Sequence, residues 1–338
     1  MRGSPFSKPP NMAIPHTRGM TGGSLTNFFL KRLFYTKYTL ENFSNPILAR
    51  DVLVSDLMQM FSFLREISPD ASAGFPKRTQ KTIFSIGTLV TKNEEYEAAL
   101  KSFLEAGFGP EDCEYLYINN VNTNQASAYH GLNCLLDAAQ GDYVILCHQD
   151  IRLSFDNRHI LEARLSELDM IDQNWGLAGN AGGVALNSLS MRITDIYGEN
   201  QSIGTFPRKV MSLDENFILV RRRARLGFSN DLSGFHFYGT DICLNANIMG
   251  YNAYVINFHL RHLGRGQMGA DFHSARRAFE KKWNHALRPR LLQTTCAQII
   301  VGYQCRPDRR IIVFRIKSLL KRIEKTFGHL MKSLMRQS

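Results

Sequence analysis

Short apolar runs alternate with amphipathic segments in the middle of the chain. The apolar runs predict strands at Ile83–Val90, Tyr115–Ile118 and Tyr143–Cys147, and the segments between them, Glu94–Ala106 and Ala126–Ala139, have helical periodicity. Strands and helices that alternate with short connections predict parallel strands joined by right-handed crossovers. We therefore expect an α/β protein with a mostly parallel, Rossmann-like sheet and flanking helices.

The regions on either side of this pattern are less regular. Apolar residues at helical spacing predict a helix over Asp56–Ile67, and the turn-rich stretch Ser68–Gln80 predicts a linker. The second half contains a long connection and further short elements. These are the apolar runs Trp175–Val184 and Phe217–Val220, a helix near Thr240–Met249 and a strand at Tyr254–Ile256.

Composition divides the chain into four segments. The polar start lacks an apolar signal segment and predicts disorder, and no apolar run has the roughly 20 residues that span a bilayer. The predicted segments are a disordered leader at 1–24, a helical extension and linker at 25–79, the α/β domain at 80–288 and a basic helical tail at 289–338.

The positive charge of the chain is concentrated in this tail. Of a net charge of +11, the segment Arg306–Ser338 contributes +8, with ten basic residues against two acidic ones. Its apolar residues fall on one helical stripe, which is typical of a helix on an anionic membrane surface, on its own domain or on a second subunit of a homo-oligomer. A local excess of this kind argues against a nucleic-acid groove spread over the fold.

The six cysteines have no metal-binding spacing, and two of them lie in apolar runs. Buried thiols of this kind are typical of a reducing compartment. We therefore expect a cytoplasmic protein, and the tail would hold it at the inner face of the membrane.

Polar side chains follow each of the three predicted strands. In parallel sheets ligands bind beyond the carboxyl ends of the strands, so these side chains are candidate ligands. Asp150 by itself is compatible with a metal or substrate ligand and with the start of a turn. The set consists of Thr91, Asn93, Glu95, Asn119, Asn120, His148, Gln149 and Asp150.

The segments around these residues resemble the GT-A fold glycosyltransferases, particularly the inverting family 2 with its bacterial polysaccharide-type branches. The resemblance extends from Phe84 to Gly264 and rests on the order and spacing of its pieces. They are FSIGTLVTKNEE, YLYINN, NQASAYHGLNCLLDAAQGDYVILCHQD, SLDENFILVRR and FHFYGTDICLNANIMGYNAYVINFHLRHLG.

The resemblance implies a site for a nucleotide-sugar donor. In the family, the first strand ends in a Thr-x-Asn turn that holds the nucleoside, and the second ends in an Asp that contacts the base. Asn119 and Asn120 stand in place of that Asp, and Arg265 lies in a glycine-rich stretch that is either a loop closing over the diphosphate or an ordinary surface loop. The residues assigned to this site are Thr91, Asn93, Glu95, Asn119, Asn120, His148, Gln149, Asp214 and Arg265.

The resemblance also implies a divalent cation, Mn²⁺ or Mg²⁺, at the diphosphate. Asp150 matches the last carboxylate of the family's Asp-x-Asp motif, whose first position is His148 in this chain. His262 matches a late histidine that completes the metal shell, and His259 competes for that role. Both cations accept carboxylate and phosphate oxygens, and Mn²⁺ also accepts imidazole.

Two acidic segments have both a catalytic and a structural interpretation. Asp241 matches the acidic residue at the acceptor site and would be the general base, whereas its position alone favours a helix cap. Asp214 and Glu215 match a segment that lines the sugar pocket of relatives, and a solvated turn is the alternative.

The expected function is inverting transfer of a sugar from a UDP-, GDP- or dTDP-sugar to a hydroxyl of a glycan or lipid-linked saccharide. The substitution at His148 motivates a second hypothesis, an inactive GT-A domain that binds nucleotide sugar or glycan. A third, nucleic-acid binding, is disfavoured because the excess charge is local.

Overall fold

The computed structural model describes residues 64–69, 81–266 and 269–302. The chain divides into two compact units, residues 1–276 and residues 277–338. The helices are α1 (Asn93–Glu105), α2 (Ala128–Ala138), α3 (Arg158–Ile171), α4 (Tyr238–Ile248) and α5 (Ala270–Ala286). The strands are β1 (Leu64–Glu66), β2 (Phe84–Val90), β3 (Cys113–Asn119), β4 (Tyr143–Cys147), β5 (Ile151–Arg152), β6 (Trp175–Gly179), β7 (Ala181–Ala185), β8 (Ser188–Asp195), β9 (Gly198–Ile203), β10 (Arg208–Val210), β11 (Ser212–Leu213), β12 (Phe217–Arg221), β13 (Asn252–Val255), β14 (Leu260–His262), β15 (Arg290–Gln293) and β16 (Gln298–Val301).

The first unit is built on an eight-stranded sheet with the order β1-β3-β2-β4-β12-β6-β13-β10. The pairs β1/β3, β3/β2, β2/β4 and β6/β13 are parallel, and β12 lies antiparallel between β4 and β6. The predicted α/β class with a mostly parallel sheet and flanking helices is confirmed.

The central strands are apolar and buried along almost their whole length. Strand β3 is buried at six of its seven residues and β2 at six of seven, which is typical of strands covered on both faces. Side chains with no exposed surface, such as Phe84, Trp175, Phe217 and Phe258, form the core beside them. The predicted strands and helices from residue 83 to residue 147 are confirmed within two residues at each end.

A buried carboxylate fastens the first strand to the sheet. Glu114 is 1% exposed and accepts hydrogen bonds of 2.6 Å from Arg65 Nη2, Ser85 Oγ and the Gln140 backbone N–H. A buried charge is tolerated when it is paired and hydrogen-bonded in this way. Arg65 lies in β1, so this network orders a strand at the N-terminal edge of the described fold.

A second sheet, with the order β11-β7-β8-β14-β5, lies beside the first, and β9 pairs with β8. Strand β14 lies between β8 and β5, and His262 is paired with Ile151 in that register. This pairing brings the end of β14 to the residues that follow β4.

The structure corrects two predictions at the ends of the described region. Leu64–Glu66 is a strand where the Asp56–Ile67 pattern predicted helix, and residues 56–63 lie outside the described residues. Residues 290–301 form a β-hairpin, β15 and β16, where a helical tail was expected. The leader, the extension up to residue 63 and the basic segment from residue 303 lie outside the described residues. Among the residues that the structure does describe, none of the helices combines the length and apolar character needed to cross a membrane.

Candidate functional site

Three side chains from separate parts of the sequence meet at the end of β4. His148 and Asp150 follow that strand directly, and His262 ends β14. The pairing of His262 with Ile151 and a 3.1 Å hydrogen bond from the Leu263 N–H to the Asp150 carbonyl oxygen fix the register between them. The two segments are therefore held together by backbone contacts.

The polar atoms of these three side chains point at one another. His262 Nε2 lies 3.4 Å from Asp150 Oδ1 and 3.4 Å from His148 Nδ1, and His148 Nδ1 lies 3.9 Å from Asp150 Oδ1. One ligand atom from each residue lies within 4.8 Å of the others, an arrangement that can hold a metal ion. We call this cluster of His148, Asp150 and His262 the His-Asp-His cluster.

The donor set and its surroundings fit a divalent cation. Asp150 Oδ1 is buried and makes ion-pair contacts with the two imidazoles of the cluster, but no contact among the described residues has full hydrogen-bond geometry. A buried carboxylate oxygen is costly without such a bond, and a cation would supply the missing interaction. Gly264 packs against the cluster so closely that a Cβ there would lie 2.5 Å from Asp150 Oδ2 and 2.9 Å from His262 Nε2. Two imidazoles and one carboxylate suit Mn²⁺ and other first-row divalent ions, and leave coordination positions open for a ligand.

The pKa values of the two histidines in the cluster are shifted in opposite directions. Burial and the neighbouring His262 lower the pKa of His148. Burial also acts against the charged form of His262, but the Asp150 carboxylate outweighs it and raises the pKa of His262. Burial opposes ionisation of Asp150 as well, yet the two imidazoles lower the pKa of that carboxyl. Asp150 is therefore ionised at neutral pH, and His148 is available as a neutral ligand.

A cleft of about 240 Å³ opens beside the cluster. Tyr238, the first residue of α4, lies on its wall with its hydroxyl 2.7 Å from His148 Nε2 and donates a 3.2 Å hydrogen bond to the Glu215 carbonyl oxygen. Because Nε2 is engaged by Tyr238, His148 presents Nδ1 to the cluster. The cleft is also lined by Thr91, Gln149, Asp150, Glu215 and Phe235.

The end of β2 is tied to the end of β4 through Gln149. Its Oε1 accepts hydrogen bonds from the backbone N–H groups of Thr91 at 2.8 Å and Lys92 at 3.0 Å, and its Nε2 donates to Thr91 Oγ1 and Glu95 Oε2. The structure thus brings Thr91, Glu95 and Gln149, all predicted for the donor site, into one network at the rim of the cleft.

Asn93 and the two asparagines after β3 differ in what their side chains do. Asn93 Oδ1 is buried without a hydrogen-bond partner in the described part of the chain. Asn119 Oδ1 accepts a hydrogen bond from the Val121 N–H. Asn120 is 3% exposed and clamps Ala126, since its Oδ1 accepts from the Ala126 N–H and its Nδ2 donates to the Ala126 carbonyl. Both polar atoms of Asn120 therefore hold the loop that follows β3.

Asp241 lies in the first turn of α4 and has no exposed surface. Its Oδ2 accepts hydrogen bonds from the Ser229 N–H at 2.8 Å and from Asn245 Nδ2 at 3.3 Å, and its Oδ1 accepts from Ser229 Oγ at 2.8 Å. It does not line the 240 Å³ cleft. This geometry favours the structural interpretation of Asp241, which fastens the Ser229 segment to α4.

The remaining predicted residues are placed as follows. Asp214 is exposed and accepts a hydrogen bond from the Asn216 N–H at 3.0 Å. Arg265 is exposed, and its carbonyl accepts a 2.8 Å hydrogen bond from Tyr197 Oη. His259, the competitor of His262, is buried, bonded to Thr194 Oγ1 at 2.9 Å and stacked on Phe155, outside the His-Asp-His cluster.

Two residues that contribute to the site, Tyr238 and Gly264, were not among the site residues predicted from the sequence. Tyr238 carries no motif of its own, and its contact with His148 spans 90 residues of sequence. Gly264 could have been found from the glycines of the segment GRGQMG that follows His262, since closely spaced glycines mark close approach of the backbone.

Comparison with known proteins identifies one curated relative. The product named ATP synthase subunits region ORF 6 of Fuscovulum blasticum is 34% identical over 226 residues, which are 65% of this chain and 91% of the relative. The chain belongs to the family of that protein. The relative's name states no activity, and no protein-family model matches the chain.

Solved structures with partial similarity include two glycosyltransferases. S. aureus TarS 1–349 aligns with a TM-score of 0.39 and 12% identity, over 60% of this chain and 66% of TarS. The mannosyltransferase PcManGT of Pyrobaculum calidifontis, solved with GDP-Man and Mn²⁺, aligns with a TM-score of 0.39 and 12% identity, over 62% of this chain and 64% of PcManGT. The chain thus spans less than two thirds of either protein, and TM-scores of this size carry no conclusion about function.

Proposed function

We propose that this chain is a metal-assisted glycosyltransferase that uses a nucleotide-diphosphate sugar as donor. The observation that carries the proposal is the His-Asp-His cluster at the end of β4, beside a cleft that also contains Thr91 and Gln149. Ligand sites of open α/β sheets lie beyond the carboxyl ends of the strands, where this cleft lies. The resemblance to GT-A glycosyltransferases in the same segments supports the proposal independently.

Each side chain of the cluster would contribute to holding Mn²⁺ or Mg²⁺. Asp150 supplies a buried carboxylate oxygen whose contacts are with the two imidazoles, and His148 and His262 supply Nδ1 and Nε2. A bound divalent cation stabilises the negative charge that develops on the diphosphate as the glycosidic bond breaks. Tyr238 and the backbone of Gly264 keep the cluster in place. The histidine at position 148 therefore preserves a metal site where the family carries an aspartate.

The network around Gln149 would form the nucleoside side of the cleft. Gln149 fixes the turn after β2, and Thr91 Oγ1 and the carboxylate of Glu95 lie in the same network. Asn93, with an unpartnered buried oxygen, follows directly. Asn120 would act indirectly, by holding the loop after β3. Asp214 would contact sugar hydroxyls and Arg265 the diphosphate.

The reaction that we propose is inverting transfer to a hydroxyl of a glycan or lipid-linked saccharide. Transfer with inversion requires one carboxylate to accept the proton of the attacking hydroxyl. The resemblance implies Asp241 for this role, and the burial of that residue does not support it.

A thermal-shift series tests the proposal. UDP-, GDP- and dTDP-sugars are added with and without Mn²⁺, because a ligand that binds the native state raises its melting temperature. We expect one nucleotide class to stabilise the wild-type protein only with the cation, and Asp150→Ala to lose this effect. Nucleotide release from that donor then separates an enzyme from an inactive binding domain. No stabilisation by any donor would refute the proposal.

A further inference from the structure

The cleft contains a carboxylate that differs from the one implied by the resemblance. Glu215 lines the same 240 Å³ space as His148 and Asp150, whereas Asp241 does not. A general base must come within about 2.6–3.2 Å of the oxygen whose proton it removes. Asp241 has no exposed surface, and Ser229 and Asn245 occupy its two oxygens. An acceptor hydroxyl could reach it only if those hydrogen bonds broke.

The backbone around Glu215 is fixed by close packing. The Asp214 N–H donates to the Ala181 carbonyl at 2.9 Å, and the segment passes so near α4 that a Cβ on Gly239 would lie 2.3 Å from the Leu213 carbonyl oxygen and 3.2 Å from Glu215 Cγ. Only a glycine at position 239 permits this approach. The side chain of Glu215 is thereby held at the N-terminus of α4, on the wall of the cleft.

The surroundings of Glu215 favour proton acceptance near neutral pH. Burial, and then the charge of Asp214, raise the pKa of the Glu215 carboxyl to about 8, against the lowering effect of the N–H groups at the start of α4. A catalytic base works best when its pKa lies near the operating pH. The other titratable groups that face this carboxylate are Tyr129 and Tyr238. Burial raises the pKa of both hydroxyls; the charges of Asp241 and then Glu215 add to this at Tyr129, and the charge of Glu215 adds to it at Tyr238.

We propose that Glu215 is the general base of the transferase. This proposal rests on the proposed function. In the step, the acceptor oxygen forms a bond to the anomeric carbon while the bond from that carbon to the phosphate oxygen breaks. The leaving nucleoside diphosphate keeps the electron pair, and the hydroxyl proton passes to the Glu215 carboxylate, which later releases it to water. Asp241 is a positioning residue that fastens the Ser229 segment to the helix behind this wall.

Glu215 could instead serve only to cap helix α4, and a substitution can distinguish this role from catalysis. Phe237, the N-cap residue of α4, provides no side-chain hydrogen bond to the helix, and Glu215 Oε1 accepts a 3.4 Å hydrogen bond from the Gly239 N–H. Glu215→Gln keeps an oxygen acceptor for this N–H and loses only the ability to accept a proton. The substitution therefore separates capping from catalysis.

The experiment measures nucleotide release with Mn²⁺ from the donor that gives the largest thermal shift, first with water and then with azide as the acceptor. Azide carries no proton to be removed, so it bypasses a missing base. We expect Glu215→Gln to melt no lower than the wild type and to keep its donor dissociation constant. It should lose about 100-fold or more of the rate with water and regain most of it with azide. Glu162→Gln removes a half-buried carboxylate on α3 that pairs with Arg158 and does not line the cleft, and as the matched control it keeps the wild-type rate.

Asp241→Asn gives the opposite pattern. We expect a lower melting temperature, and azide restores none of the rate that is lost. The assignment of Glu215 would be overturned if Glu215→Gln kept the wild-type rate with water, or if azide rescued Asp241→Asn instead. Either result would leave the proposed transferase function standing. A wild-type protein that neither binds a donor nor releases nucleotide would overturn the proposed function, and the role of Glu215 with it.

Discussion

Replacing Gly264 by alanine would put a methyl group into the His-Asp-His cluster. The added Cβ would lie 2.5 Å from Asp150 Oδ2 and 2.9 Å from His262 Nε2. Non-bonded heavy atoms settle at separations of about 3.5 Å or more, so the carboxylate would have to move by roughly 1 Å. Metal–ligand distances tolerate only about 0.2 Å, and the displaced ligands could no longer bind one ion together.

The expected result of Gly264→Ala is a 10- to 100-fold loss of Mn²⁺ affinity, the range typical of changes that disturb the support of metal ligands. The assay is calorimetric titration of Mn²⁺ in the presence of the nucleoside diphosphate. The melting temperature should change little, because the methyl group meets the ends of two side chains and no backbone atom in its nearest contacts.

Gly269→Ala is the control, since a Cβ at Gly269 meets nothing within 4 Å. Both glycines lie outside the left-handed backbone region, so neither substitution strains the chain. Equal Mn²⁺ affinities for Gly264→Ala and Gly269→Ala would refute the idea that the Gly264 backbone shapes the metal site.

Two further predictions concern the residues around the cleft. Asn120→Ala removes both hydrogen bonds between the buried residues Asn120 and Ala126, and we expect the free energy of unfolding to fall by about 1–3 kcal/mol in chemical denaturation. An unchanged midpoint would contradict the clamp. The pKa of Glu215 is raised to about 8, so this carboxyl binds a proton more readily in the folded protein than in the unfolded chain, and its contribution to stability is lost as the pH rises towards 8. The melting temperature of Glu215→Gln should therefore fall less between pH 5 and pH 8 than that of the wild type; parallel curves would mean that the carboxyl titrates normally.

The central strands could be predicted from the sequence because strands buried on both faces are continuous apolar runs. Tyr143–Cys147 is an unbroken apolar run, and its predicted bounds are those of β4. The run Trp175–Val184 was harder, since it comprises two strands in different sheets, β6 and β7, separated at the fully buried Asn180. No periodicity reveals such a change of sheet, because both strands are short and apolar.

Two helices were missed for different reasons. In α3, Leu161, Leu165 and Leu168 recur at helical spacing and are buried, so the signal was present in the sequence. In α5, all of whose residues are described, only Trp283 is buried, and a helix that buries so little has a weak apolar pattern. The long connection after residue 185 contains the hairpin β8–β9, whose mostly polar strands give no clear alternation.

The candidate site was predictable where it lies at strand ends. Asp150, His148 and Gln149 follow β4 directly, and the parallel order of the strands brings Thr91 beside them. What the sequence cannot reveal is how each polar atom is used. Asn119 and Asn120 are adjacent and chemically identical, yet only Asn120 is buried. Both polar atoms of its side chain form hydrogen bonds with the Ala126 backbone.

The central claim, that Asp150 helps to hold a cation at the diphosphate, is tested most directly by Mn²⁺ titration of the wild type and of Asp150→Asn. The titration is done calorimetrically, with UDP, GDP and dTDP each in turn. The account predicts that one nucleotide confers saturable Mn²⁺ binding on the wild type, and that Asp150→Asn, which keeps the size of the side chain and loses its charge, weakens it at least tenfold. Equal Mn²⁺ affinity in the two proteins would contradict it.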